Sequence, residues 1–140
     1  MSVHALNAYR STDLNSRCET SSKRDLVIML YDAAIDAMGV AQQHAARGEK
    51  RAVNAATTRA LTILSGLRET LDLKNGGAVA AHLDDFYQFL IRRLVRAGAT
   101  GSTDDLADCQ DLLSQVREAW AVINPAVAGE VNRRMFVVYS

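Results

Sequence analysis

Three histidines, two cysteines and two adjacent carboxylate pairs are the residues in this 140-residue chain whose types could carry chemistry. His44 and His82 each stand alone in helical sequence, with no Cys or Glu at ligand spacing, and His4 lies in a polar N-terminal stretch. No Glu is followed three residues later by a His, the pairing an inward-facing di-iron site needs, so no metal site is expected. Cys18 and Cys109 lack CxxC spacing and suit reduced thiols better than a disulfide framework. Cys109 falls in an inward repeat, where a thiol acts as a small hydrophobe, and Cys18 has no evident base to activate it. Asp84-Asp85 and Asp104-Asp105 are neighbours in helical sequence, where successive side chains point about 100° apart, so neither pair makes an acid/base dyad. The chain holds no GxGxxG, P-loop or GxSxG motif, and Gly76-Gly77 is too short to cradle a phosphate. The expectation is a non-enzymatic protein with no catalytic residue and no cofactor.

The elements that hold these residues are helical. A hydrophobic content of 49% suffices for one sizeable core, and an alanine-rich chain with one proline favours helix. Apolar spacing marks four segments. The first, 22–47, has Ser22 as N-cap with Asp25 three residues on, and Leu26, Leu30, Ala33, Ala37 and Val40 inward. The second, 50–73, turns Val53, Ala56, Ala60, Ile63, Leu67 and Leu71 inward and stops at Lys74-Asn75-Gly76-Gly77. The third, 78–97, buries Val79, Leu83, Phe86, Leu90 and Leu94 and places Arg92, Arg93 and Arg96 near its C-terminus, where cations suit the helix dipole. Gly98 and Gly101 bracket the next turn. The fourth segment starts at Ser102 or Thr103, carries Leu106, Cys109, Leu113, Val116, Trp120 and Ile123 inward, and closes at Pro125.

Short links between long helices force neighbours to run antiparallel, so the expected fold is all-α: an antiparallel up-down-up-down four-helix bundle over 21–124. Residues 1–20 read as a flexible N-terminal arm, and 125–140 as a short C-terminal extension ending in an apolar cluster around Phe136. Sixteen basic residues balance sixteen acidic ones, which disfavours a nucleic-acid partner. The apolar runs fall far short of the ~20 residues that span a bilayer, and no secretory signal is visible in 1–10, so a cytoplasmic protein without membrane insertion is expected.

One feature exceeds the needs of a bundle. Opposite the inward stripe of the first helix runs a second, Ile28, Tyr31, Ile35 and Met38, at 3, 4, 3 spacing. Two stripes imply either a deeply central helix or an outer apolar groove for a partner helix. Cover by the arm, the tail or a second copy in a weak homodimer would serve the first of these equally well.

The segments Leu26-Val27-Ile28-Met29-Leu30-Tyr31-Asp32, Thr70-Leu71-Asp72-Leu73, Gly76-Gly77, and Val79-Ala80 with Leu83 strongly resemble the FliS family of flagellin-specific export chaperones. Phe86-Tyr87-Gln88-Phe89-Leu90-Ile91-Arg92-Arg93-Leu94 and Leu112-Leu113 with Val116-Arg117-Glu118-Ala119-Trp120 follow in the family's order, and Ala8-Tyr9 resembles its N-terminal tyrosine segment. Two positions depart from the family pattern: Thr20-Ser21-Ser22 stands where Ala-Ser-Pro is common, and Ala33-Ala34 where Gly-Ala is. The resemblance implies a cytoplasmic chaperone that binds the C-terminal segment of flagellin, prevents early polymerisation and supports delivery to the export gate of the flagellar type III apparatus. A regulatory binder of another flagellar or anti-sigma partner would use the same surfaces. The residues assigned to the partner are Tyr9, Ile28, Tyr31, Ile35, Met38 and Tyr87. The arm, through Leu6, Tyr9 and Leu14, is expected to lie over part of the groove until the client docks.

Overall fold

Apolar periodicity and brief links produce four helices in the computed structural model, which describes residues 23–122: α1 Lys23–Ala46, α2 Lys50–Glu69, α3 Gly77–Thr100 and α4 Thr103–Val122. The link from α1 to α2 turns at Gly48, whose φ of 70° only glycine adopts at little cost. At the link from α3 to α4, Gly101 sits in the left-handed region at φ 69° and donates its N–H to the Ala97 carbonyl at 2.7 Å. Ser102 then caps α4, its Oγ accepting the Asp105 N–H at 3.2 Å.

Each helix packs against its chain neighbours, and α1 also packs on α4, which closes the ring. Cross-helix bonds fix the directions. Asp32 pairs with Arg117 at 2.9 Å while Gln42 meets Gln110 at 2.8 Å, so α1 and α4 run antiparallel. Arg68 with Asp84 at 2.6 Å, and Gly98 beside Asn54 and Thr57, set α2 against α3 in the same sense. Arg93 with Asp105 at 2.9 Å does so for α3 and α4. The fold is the all-α four-helix bundle that the spacing implies.

Two boundaries differ from expectation. α2 ends at Glu69 rather than at 73, because Thr70 turns its Oγ1 back to the Leu67 carbonyl at 2.8 Å and competes with further helix. α3 runs through Gly98 to Thr100. Gly98 serves contact rather than turning: a Cβ there would stand 3.3 Å from Thr57 Cγ2, so its absence lets α2 and α3 approach closely.

The stripe of α2 is buried as expected, and so are Leu26, Leu30 and Ala37 of α1, but the buried face of α1 is broader and turned from the expected one. Tyr31 and Met38, expected on the outer stripe, lie in the core with Val27, Ala34 and Ala41, while Val40 is 44% exposed and Ala33 half-buried. Tyr87 is fully buried as well. The Tyr31 and Tyr87 hydroxyls share a hydrogen bond of 2.6 Å, and the Tyr31 ring meets Trp120 edge-on, with centroids 6.5 Å apart. This pairing supplies the physical reason: tyrosine can sit at the centre of a bundle when its hydroxyl finds a partner there.

Burial raises the pKa of both phenols above the ordinary value of 10, and for Tyr87 the neighbouring Tyr31 adds to the effect. A raised folded pKa means that the stability tied to the neutral pair is fully present below about pH 10 and is lost as pH climbs toward the folded value. In an alkaline titration followed at 295 nm, Tyr31 and Tyr87 are therefore expected to ionise together with loss of helix rather than before it. Ionisation of Tyr87 in a Tyr9→Phe/Tyr31→Phe/Tyr139→Phe background at an ordinary pKa, with helicity intact, would contradict a dry core.

Candidate docking groove

No group of three or more His, Cys, Asp or Glu residues among the described residues could hold a metal ion, and no helix there is long and apolar enough to cross a membrane. Cys109 is buried, and desolvation pushes its thiol up to about 11, so little nucleophilic thiolate exists at neutral pH. Asp84 is bonded to Arg68 and Gln88, and Asp105 to Arg93 and Arg96, so both serve as links between side chains. His44 lies 2.8 Å from Glu49 at the α1/α2 turn.

The apolar residues left at the surface are more informative. On α3, Val79 is 52% exposed and Phe89 39%, with Leu83 and Phe86 half-buried between them. At 100° per residue Phe86 and Phe89 fall on the flank that carries Arg93 toward Asp105 and Asp108 of α4. The facing flank of α4 holds Asp105, Leu112 and Val116, the latter two half-buried. These positions flank the boundary of α3 and α4, the least closely packed neighbouring pair of the bundle, and make it the candidate docking groove. Ion pairs pin one end of it, at Arg93, Asp105 and Asp108. On the flank of α3 that faces α2, Ile91 is half-buried and Val95 55% exposed, and Leu61 of α2 is half-buried as well.

Of the residues assigned to a partner from sequence, Ile28 and Ile35 sit half-buried at the α1/α4 boundary, beside the polar cross-links Asp32 to Arg117 and Gln42 to Gln110. Tyr31, Met38 and Tyr87 belong to the core of the free chain, which corrects their place on an outer stripe. Val79, expected to be buried, is exposed, and Phe86 packs on the core only in part, so both border the candidate groove. Tyr9, Cys18, the arm over 1–20 and the extension over 125–140 lie outside the described residues. Sequence reasoning overlooked Phe89. Its signal was available, since Phe86 and Phe89 with Val79 are apolar beyond the Leu83, Leu90 and Leu94 stripe, the same surplus that drew notice to the first helix.

Apolar side chains left along the helix boundaries of a bundle suit the binding of a partner. Comparison with known proteins agrees. The family model for flagellar protein FliS matches residues 5–127. The chain belongs to the FliS family. A flagellar secretion chaperone FliS from Salmonella typhimurium is 30% identical over 129 residues, covering 91% of this chain and 96% of the relative. FliSB of Pseudomonas aeruginosa, also named a flagellar secretion chaperone, is 26% identical over 84% of the chain and 94% of its own length. The namesake from Vibrio cholerae is 26% identical, with coverage of 86% and 89%. Membership in FliS places the chain among the flagellar chaperones, a non-catalytic family.

Proposed function

We propose that this FliS chain binds the C-terminal segment of flagellin in the cytoplasm, keeps it from polymerising early and supports its delivery to the flagellar type III export apparatus. The observation that carries this reading is the family match over 5–127, with relatives named flagellar secretion chaperones. The α3/α4 groove supplies a physical means. A disordered amphipathic segment can fold to a helix as its apolar residues replace water over Val79, Phe86, Phe89, Leu112 and Val116. Part of the contact energy is spent on ordering the client, so a protective complex can still release it at the export apparatus. Ile28 and Ile35 are assigned to a second contact strip, and Tyr9 to the arm that covers the groove before docking. Tyr31, Met38 and Tyr87 support these surfaces from within.

The test is a pull-down with the full chain as bait. Full-length flagellin is expected to be retained and flagellin lacking its C-terminal segment to pass through. Equal retention of both would place the contact elsewhere on flagellin and overturn the reading.

A further inference from the structure

One end of the α3/α4 groove is rich in arginine. Where α3 approaches its C-terminus, Phe89, Arg92, Arg93 and Arg96 surround an open depression of about 510 Å³. The Arg93 guanidinium lies 5.7 Å above the centre of the Phe89 ring, so the aromatic floor continues into a cationic one. Three guanidiniums meet two carboxylates here. Arg93 donates to Asp105 at 2.9 Å and to Asp108 at 3.0 Å, and Arg96 shares Asp105 through a longer pair of 3.4 Å. Arg92 is exposed and has no ion pair among the described residues, and Arg93 Nε is buried without a hydrogen-bond partner there. One positive charge therefore stays uncompensated beside an exposed aromatic ring, in a chain whose overall charge is zero.

We propose that this end of the groove is a carboxylate-reading subsite, in which Arg92 and Arg96 hold an acid group of the docked client and so fix the direction in which its helix lies. The proposal rests on the chaperone reading and names the client chemistry it requires: a helical segment with apolar residues along one face and a carboxylate at the end nearest Arg92. Complementary charge suits orientation, because a helix inserted the wrong way round would bring apolar residues to the arginines and leave its carboxylate over the apolar floor. Arg93 is the structural member of the trio, since it ties α3 to α4. Arg92 is exposed and unpaired among the described residues, and Arg96, with a side chain 61% exposed, can exchange its longer pair with Asp105 for the client's acid. A side-chain carboxylate and the chain-terminal carboxylate present the same chemistry to these guanidiniums.

The experiment measures binding of the flagellin C-terminal segment, as a synthetic peptide, to the full wild-type chain and to Arg92→Ala/Arg96→Ala at low and high salt. Wild type should bind more weakly as salt rises, and the double variant should lose about five- to tenfold in affinity at low salt with a flatter salt response. Two further peptides separate the sources: one has an amidated C-terminus, the other has its acidic side chains replaced by their amides. Whichever carries the recognised acid should bind wild type as weakly as the unmodified peptide binds the variant. If wild type binds but the variant matches it at both salt concentrations, the subsite is overturned while the chaperone reading stands; equal binding of all three peptides to wild type would overturn it too. If wild type fails to bind the peptide at all, the chaperone reading fails and takes the subsite with it.

Discussion

Tyr31→Ala should cost about 3–5 kcal/mol, a large part of the roughly 5–15 kcal/mol that holds a domain of this size together. The ring is fully buried, and it meets both Tyr87 and Trp120 edge-on, so its removal opens a cavity where α1, α3 and α4 converge. Urea denaturation followed by circular dichroism would register the loss. Tyr31→Phe is the gentler probe. It keeps the packing but leaves the Tyr87 hydroxyl without its 2.6 Å partner in a dry core, at a cost of about 1–3 kcal/mol. Adding Tyr87→Phe then removes the orphan, so the double variant should be less destabilised than the sum of the two singles. If Tyr31→Ala kept full stability and lost only client binding, the tyrosine would be a contact residue and the core assignment would be wrong.

Val79→Asp/Phe89→Asp is expected to do the reverse. Both side chains are substantially exposed in the free chain, so the fold should stay within about 1 kcal/mol of wild type. A client helix seated on the groove would instead have to bury two carboxylates against its apolar face, and affinity should fall by about thirtyfold or more, corresponding to ~2 kcal/mol. Fluorescence anisotropy of a labelled C-terminal segment gives the affinity, and thermal unfolding gives the stability. Ile28→Asp and Ile35→Asp, made separately, probe the α1/α4 strip in the same assay. Unchanged affinity in Val79→Asp/Phe89→Asp with weakened binding in the isoleucine variants would move the client from the α3/α4 groove to the face of α1.

The helices were legible because their signals are local. The α2 stripe from Val53 to Leu67, the Ser102 cap and the Gly101 turn each depend on residues within a few positions, and sequence displays those directly. The rotation of α1 was not legible, since whether Tyr31 or Val40 faces inward is decided by what stands opposite. Tyr31 goes in because Tyr87, distant in sequence, offers a hydroxyl partner, and no periodicity within α1 carries that information. The same holds for Arg92, Arg93 and Arg96. As a C-terminal cluster they read as dipole partners, yet Arg93 and Arg96 find carboxylates across the turn on α4, and only that pairing shows Arg92 to be the surplus. Gly98 misled for a related reason, because a glycine needed for close helix approach looks the same in sequence as one needed for a turn.

Titrating the full chain with the isolated flagellin C-terminal segment, in a calorimeter and in parallel by far-ultraviolet circular dichroism, tests the central claim most directly. Saturable one-to-one binding is expected, with a negative heat-capacity change from apolar burial and more helix in the mixture than in the two components measured apart. Absence of binding, or binding without added helix and with no heat-capacity change, would contradict a chaperone that folds its client along an apolar groove.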